Sequence, residues 1–259
     1  MSAPAPSMFS DAAKSLLADL KLAPGKANLD VFAQTLLELA RADRNLVVVT
    51  SDSRDSGKLG PFGQELPHQI VEVGIAEQNL VGVAAGLAAS GKRVFAVSPA
   101  CFLTARSLEQ IKNDVCYSDH PVTLVGISAG VSYGALGSTH HSLHDLAALR
   151  AINNLDLIVP ADNAETAAAV RAAAVSPRPV YLRFGKAAQP TLGSSCDPRS
   201  PLPVGQAIVL RTGSDLTFIA TGETVVHALL AAEFLGREHK LSCGVISMPC
   251  IRPFDHAAI

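Results

Sequence analysis

Short apolar segments alternate with helix-forming segments along most of this chain, and this alternation limits the possible folds more than any other feature. We predict strands at residues 46–49, 69–72, 94–97, 122–127, 156–159 and 180–182. Helices are predicted from about residue 30 and over residues 77–90, 103–117 and 163–175. Because strands that are buried on both faces are apolar throughout, the pattern predicts an α/β fold with a mostly parallel sheet flanked by helices.

The sequence divides into four segments. Residues 1–27 are rich in Ala, Pro and Ser and are expected to form a loosely packed N-terminal extension, and residues 28–185 contain the predicted sheet. Residues 186–204 carry many Pro, Gly and Ser residues, which predicts a linker. Residues 205–259 carry three further strand patterns and one helix, which predicts a shortened second α/β domain.

Composition narrows the classes of function. The net charge of −2 gives no electrostatic basis for binding nucleic acid or an anionic membrane surface. No apolar run approaches the ~20 residues that a membrane span needs. The five cysteines form no Cys-x-x-Cys pair, so neither a zinc site nor a disulfide framework is indicated. We therefore expect a cytoplasmic protein.

One carboxylate, Glu77, follows an apolar strand at the start of a helix built of small and aliphatic residues. Acidic side chains are rarely buried without a partner, so a Glu at this point is a candidate for sharing a proton with a ligand. The structural alternative is an acid in the first turn of a helix, stabilised by the helix dipole. The spacing alone does not decide between the two.

Several segments together resemble the transketolase family, in which we include deoxyxylulose-phosphate synthase. They occur in the order of the family and cover roughly residues 28–259: Gly-Ile-Ala-Glu-Gln at 74–78, Glu-Gln-Ile-Lys-Asn at 109–113, Gly-Ser-Thr-His-His at 137–141, Val-Pro-Ala-Asp at 159–162, Tyr-Leu-Arg at 181–183 and Arg-Pro-Phe-Asp at 252–255. The resemblance implies a pyrimidine-binding domain followed by the beginning of the family's C-terminal domain.

The resemblance assigns cofactor-binding roles to four positions. It implies thiamine diphosphate as the cofactor, with Glu77 as the catalytic carboxyl that bonds its aminopyrimidine ring. Phe102 would stack on that ring, and Leu108 would line its pocket where many relatives carry an aromatic residue. Asp52 matches a position near the cofactor. An ordinary core Phe and a plain turn at Asp52 remain the alternatives.

The resemblance also implies a substrate site. His140 would reach the substrate and transfer protons, while Ser56 and Arg183 would bind its phosphate. Alternatives are a surface loop for His140, a metal site formed by the neighbouring histidines, and a capping turn for Ser56. Leu136 departs from the family because transketolases of ordinary sugar phosphates usually carry an Asp there. This departure puts the standard pentose-phosphate substrates in question.

The sequence contains no Gly-Asp pair, although the family holds the cofactor's diphosphate through a Gly-Asp-Gly triplet and a divalent ion. The resemblance therefore implies half of an active site, with no metal ligand in this chain. A partner subunit would supply the triplet and the Mg²⁺ or Ca²⁺ ligands, and two chains of each kind would form a dimer of heterodimers.

The resulting hypothesis is the C-terminal subunit of a split transketolase, which transfers a two-carbon ketol unit from a ketose, expected to be phosphorylated, to an aldehyde. Three alternatives remain open at this point: the beta subunit of a 2-oxo acid dehydrogenase, an enzyme similar to deoxyxylulose-phosphate synthase, and a non-catalytic regulatory homologue. The shortened second domain also predicts that a partner covers its sheet, or that the chain is truncated.

Overall fold

A seven-stranded sheet forms the larger part of the structure, a computed structural model that describes residues 9–259. Its strands are β1 (Leu46–Thr50), β2 (Ile70–Glu72), β3 (Arg93–Pro99), β4 (Val122–Ile127), β5 (Asp156–Ile158), β6 (Val180–Arg183) and β10 (Cys250–Arg252). They lie in the order β10-β5-β6-β4-β3-β1-β2, and all neighbours are parallel except β10 and β5. The predicted fold class is confirmed.

Helices cover both faces of this sheet. They are α2 (Asn28–Ala42), α3 (Gly60–Glu65), α4 (Glu77–Ala89), α5 (Ala100–Arg106), α6 (Leu108–Gln110), α7 (Asp145–Arg150) and α8 (Asn163–Val175). Side chains of α2 and α8 share one core cluster with Val48 and Val125, whereas side chains of α4 and α5 share the other with Val49 and Leu124. Since neighbouring strand residues enter opposite clusters, the strands are apolar throughout for the reason predicted.

The predicted helix at residues 103–117 is interrupted in the structure. α5 begins earlier, at Ala100, and ends at Arg106. Ser107 then leaves the helical conformation, and α6 continues into a π-helix over Ile111–Tyr117. Apolar periodicity does not reveal this break, at which the hydroxyl and the backbone N–H of Ser107 both donate to the carbonyl of Leu103. The break places Arg106 at the end of a helix, beside the start of α4.

A second, three-stranded sheet follows in the order β7-β9-β8, with β8 parallel and β7 antiparallel to β9. Its elements are β7 (Ile208–Arg211), β8 (Leu216–Ala220), α9 (Thr224–His239) and β9 (Cys243–Ser247). α9 packs on one face, while Val209 and Ile219 are exposed on the strands. The chain then returns to the first sheet, where β10 pairs with the edge strand β5. This return was not predicted from the sequence.

The N-terminal extension contains helix α1 (Asp11–Asp19), which contacts α9. Leu16, Leu17 and Leu20 pack against the core of the second sheet, and Asp19 accepts a hydrogen bond from Arg237. The expectation of loose packing thus differs from the structure over this segment because three leucines bury part of their surface there. The first eight residues of the predicted extension lie outside the described residues. Within residues 9–259, no helix is long and apolar enough to cross a membrane.

Candidate functional site

The residues predicted to form the site lie after the carboxyl ends of parallel strands, which meet at one edge of the sheet. Asp52 and Ser56 follow β1, Glu77 follows β2, Phe102 and Leu108 follow β3, His140 follows β4, and Arg183 ends β6. The structure brings Glu77, Phe102 and His140 into one cluster: Arg106 contacts both Glu77 and Phe102, and Phe102 packs against His140. It places Arg183 in a separate hydrogen-bonded network at the same edge.

Glu77 is the first residue of α4 and is only 4% exposed. Its carboxylate has a partner that was not predicted: Arg106 Nη1 lies 3.0 Å from both carboxylate oxygens. The Arg106 side chain is 50% exposed, so the pair is buried on the acid side and open on the base side. Both residues line an open cleft of about 780 Å³. The carboxylate is thus accessible to a ligand from the position that Arg106 holds.

Phe102 lies between Arg106 and the loop that follows β4. The Arg106 Cζ is 4.5 Å from the centroid of the Phe102 ring, a cation–π contact. On the other side, the ring of His140 packs edge-on at 5.3 Å between centroids, and the ring of Tyr133 packs on His140 at 5.2 Å. Lys186 Nζ is 4.7 Å from the Tyr133 centroid. One continuous cluster therefore runs from Glu77 to Lys186.

The loop that carries His140 is held at its base by a two-residue bridge between Gly130 and Ser142. Within it, the Thr139 hydroxyl is 3.0 Å from His140 Nδ1, which fixes the orientation of the imidazole ring. Leu136 is 56% exposed on this loop. No group of three or more His, Cys, Asp or Glu side chains in the described part of the chain is arranged to hold a metal ion.

Arg183 is fixed by Asp145, a fully buried acid at the start of α7. Arg183 Nε donates to Asp145 Oδ2 at 2.7 Å, and its Nη2 donates to the carbonyl of Ser142. The hydroxyl of the buried Tyr181 donates to the same Asp145 oxygen at 2.9 Å, and burial beside this acid raises the pKa of Tyr181 well above its ordinary value. Gly126 permits this arrangement, because a Cβ there would lie 2.1 Å from the Tyr181 hydroxyl.

Glu72 organises the loop after β1. Its carboxylate accepts hydrogen bonds from the Thr50 hydroxyl and from the backbone N–H groups of Asp52 and Gly74. Burial alone would raise the pKa of Glu72, but these hydrogen bonds outweigh it and lower the pKa below its ordinary value. Asp52, which has a positive φ of 53°, and Ser56 are both exposed on this loop. Leu108, the first residue of α6, is 36% exposed.

Sequence reasoning missed several residues that shape the site, and these residues differ in whether a local sequence pattern could have revealed them. Arg106 stands four positions after Phe102, and both lie on α5, where this spacing places them on one face. The helix predicted over residues 103–117 left Phe102 out, so the pair was missed although its spacing is visible in the sequence. Asp145 and Tyr181 pair across 36 residues. No local pattern marks such a contact.

Two family models match the chain. The model of the transketolase pyrimidine binding domain matches residues 25–191, and the model of the transketolase C-terminal domain matches residues 205–259. The chain belongs to the transketolase family.

Individual relatives agree with this assignment. An apulose-4-phosphate transketolase subunit from Phocaeicola vulgatus is 50% identical over 228 residues, covering 88% of this chain and 72% of the relative. A 6-deoxy-6-sulfo-D-fructose transketolase subunit from a Clostridium species is 34% identical over 230 residues, covering 89% of this chain and 70% of the relative. Similar proteins thus include subunits of transketolases that are named for different substrates.

A solved structure has the same fold. A split gene transketolase, described as an inactive beta4 tetramer, superimposes with a TM-score of 0.79 at 34% sequence identity. The match covers 90% of this chain and 74% of that one. A match of this extent reaches both the large sheet and the second sheet described above.

Proposed function

We propose that this chain is the pyrimidine-binding subunit of a thiamine diphosphate-dependent, transketolase-type transferase that moves a two-carbon ketol unit from a ketose to an aldehyde. The observation that carries the proposal is the arrangement of Glu77 and Phe102 around one flat, cationic N–H donor, the Arg106 guanidinium. A carboxylate beside an aromatic face is also the environment that an aminopyrimidine ring requires. The residues present therefore fit the pyrimidine end of the cofactor.

Each predicted residue has a role that its position supports. Glu77 accepts and returns a proton at a ring nitrogen of the pyrimidine, Phe102 packs on the ring, and Leu108 supplies an apolar wall. When bound, the cofactor supplies a carbon nucleophile that carries the two-carbon fragment between donor and acceptor. Asp52 lies in the loop held by Glu72, at the same edge of the sheet as the pyrimidine site.

The substrate end involves the remaining predicted residues. His140, held by Thr139 and packed on Phe102, moves protons at a substrate oxygen. Arg183 and Ser56 bind a substrate phosphate. Asp145 and the carbonyl of Ser142 engage Nε and Nη2 of Arg183, while Nη1 has no hydrogen-bond acceptor within residues 9–259. An exposed Leu136 instead of an acid favours a ketose other than the common pentose phosphates.

The diphosphate and its Mg²⁺ or Ca²⁺ require a second subunit with a Gly-Asp-Gly motif, since the sequence of this chain contains no Gly-Asp pair. The apulose-4-phosphate transketolase relative, which is named as one subunit of its enzyme, supports a division between chains. We propose an assembly of two chains of each kind, active only as the complex. A cytoplasmic location stays a prediction.

The experiment begins with a native pull-down using this chain and mass spectrometry of what it retains. The reconstituted complex is then assayed for ketol transfer from phosphorylated and unphosphorylated ketoses, with pyruvate as the competing donor class. Retention of a stoichiometric subunit that carries the Gly-Asp-Gly motif, together with ketol transfer that depends on thiamine diphosphate, would support the proposal. Activity with pyruvate alone would contradict it.

Glu77→Gln tests the catalytic role. Since a positioned acid–base group contributes about 10²–10⁴-fold, kcat of the complex should fall at least about 10²-fold. Glu38→Gln is the matched control, because it removes an exposed carboxylate that pairs with Arg171 on α8. Near-normal turnover by the Glu77→Gln complex would refute the assignment of Glu77.

A further inference from the structure

Arg106 makes both contacts that the proposed function assigns to the cofactor's pyrimidine ring. Its Nη1 lies 3.0 Å from each Glu77 oxygen, and its Cζ lies 4.5 Å from the centroid of the Phe102 ring. Resting on that proposed function, we propose that Arg106 occupies the pyrimidine site in the cofactor-free protein and must be displaced from it when thiamine diphosphate binds. Arg106 thereby lowers the affinity for the cofactor.

The chemistry of the two occupants is alike. A guanidinium and a protonated aminopyrimidine are both flat, both carry N–H donors on an amidine-type carbon, and both stack on aromatic faces. Each can satisfy one carboxylate and one ring at the same time. They cannot do so together, because Arg106 already contacts both Glu77 carboxylate oxygens through Nη1 and covers one face of the Phe102 ring.

The position of Arg106 makes it the movable member of the cluster. Its side chain is 50% exposed and belongs to the last residue of α5, where the helix breaks at Ser107. A released guanidinium therefore moves a short way into water and regains hydration. Glu77 is only 4% exposed within the first turn of α4, and Phe102 packs against His140, so neither can withdraw as easily.

The pair also explains how Glu77 remains buried without the cofactor. A buried carboxylate without a partner is strongly destabilising, and Arg106 supplies the missing charge. Cofactor binding exchanges one cationic partner of Glu77 for another. Because the ion pair with Arg106 must be broken first, the free energy of binding the cofactor is less favourable by the free energy of that pair.

The test uses the complex of this chain with its copurifying subunit and two variants, Arg106→Ala and Arg106→Gln. The Gln variant keeps a planar side chain with N–H donors and no charge, so it remains informative if the Ala variant fails to fold. Isothermal titration calorimetry in Mg²⁺ measures Kd for thiamine diphosphate and, separately, for inorganic pyrophosphate. Pyrophosphate shares the anionic end of the cofactor and lacks the pyrimidine.

We expect both variants to bind thiamine diphosphate about tenfold more tightly than the wild type, a change of ~1.4 kcal/mol, and to bind pyrophosphate with unchanged Kd. Arg41→Ala is the matched control, because Arg41 of α2 forms a similar two-bond pair with Glu65 of α3 and neither residue lines the cleft. The cofactor affinity of this variant should equal that of the wild type.

Weaker or unchanged binding of thiamine diphosphate by both variants would overturn the inference, because Arg106 would then hold the cofactor or have no effect on it. Equal tightening for pyrophosphate would also overturn it, since the effect would not concern the pyrimidine site. If the wild-type complex binds no thiamine diphosphate at all, the proposed function itself fails. That result is distinct from wild-type binding whose Kd the Arg106 substitutions leave unchanged, which overturns only the inference about Arg106.

Discussion

Two arginine–carboxylate pairs lie at the same edge of the sheet. They consist of the same chemical groups but differ in burial and in the number of their hydrogen-bond partners. In the first, Glu77 is buried and Arg106 is half exposed, with one guanidinium nitrogen bridging the two oxygens. In the second, Asp145 is 1% exposed and Arg183 is 21% exposed, and the acid has a second donor in Tyr181. The first pair opens to a cleft, whereas the second is built into the core.

The difference shows how one kind of ion pair can serve two purposes. A pair whose base is half in water can be broken and replaced by a ligand at small cost, since the freed base is rehydrated. A pair that shares its acid with a buried hydroxyl, and whose base also donates to a carbonyl, belongs to a network that resists disruption. In terms of the proposed function, the end of the site assigned to the cofactor is exchangeable, and the end assigned to the substrate phosphate is preorganised.

Removing the acid of each pair is the sharpest way to break this comparison. Asp145→Asn should lower the free energy of unfolding by about 4 kcal/mol, because Arg183 loses its charge partner in a buried network. Glu77→Gln should cost only about 1 kcal/mol, since Arg106 can turn into water. Urea unfolding of the two single variants measures both values. Equal losses would show that the two pairs do not differ as described.

A third buried acid shows what happens when no arginine is present. Within residues 9–259, the carboxylate of Glu165 on α8 accepts hydrogen bonds only from the Ala161 N–H and the Ser247 hydroxyl, and burial raises its pKa from 4.5 to about 7. A carboxyl whose pKa is raised by folding stabilises the fold most below its unfolded pKa, and this contribution is lost as the pH rises through its folded pKa.

The free energy of unfolding of the wild type should therefore fall relative to Glu165→Gln between pH 4.5 and about 7.5, by roughly 3 kcal/mol in total. Urea unfolding of both proteins across this range measures the difference, in which the other titrating groups cancel. A difference that stays constant with pH would mean that Glu165 ionises normally inside the fold.

An effect smaller than those at Asp145 and Glu165 sharpens the comparison at the proposed phosphate end. Arg183→Lys keeps the charge but loses the planar fork that can bond Asp145 and a phosphate together. For the complex, KM for a phosphorylated ketose should rise about tenfold, the effect of roughly 1.4 kcal/mol, with kcat little changed and no shift for an unphosphorylated ketose. The steady-state constants for both donors check this, and parallel changes for the two donors would contradict a phosphate-specific role.

Much of the fold could be predicted because it depends on local patterns. The strand that contains Val48 and Val49 has to be apolar on both faces, so sequence alone identified a sheet covered by helices. α5 ends at Arg106 within a segment whose apolar pattern continues, so periodicity does not mark this end. The β10 strand depends on an edge formed about 90 residues earlier, and long-range pairing accounts for that miss.

The candidate site was also predicted only in part: its motif residues were identified, and the residues that hold them were not. The family's motifs mark Glu77, Phe102, His140 and Arg183 individually, and all four lie at the expected edge of the sheet. What holds them was not predicted. Arg106 bonds Glu77 across 29 residues, and Asp145 bonds Arg183 across 38 residues. A family motif marks individual residues of the candidate site, whereas the residues that orient them are scattered along the chain.

The return of the chain to the first sheet has a consequence for any attempt to divide the molecule. β10 shields the main-chain groups of β5, and the Arg252 guanidinium donates to the carbonyls of Leu155, Arg150 and Ile152. Cutting the chain within residues 186–204 would thus separate the two family domains along the sequence. It would also remove strand β10 from the edge of the first domain's sheet. The chain that leaves the smaller sheet forms the edge strand of the larger one. Unfolding of the smaller sheet should therefore loosen the larger sheet at the β5 edge.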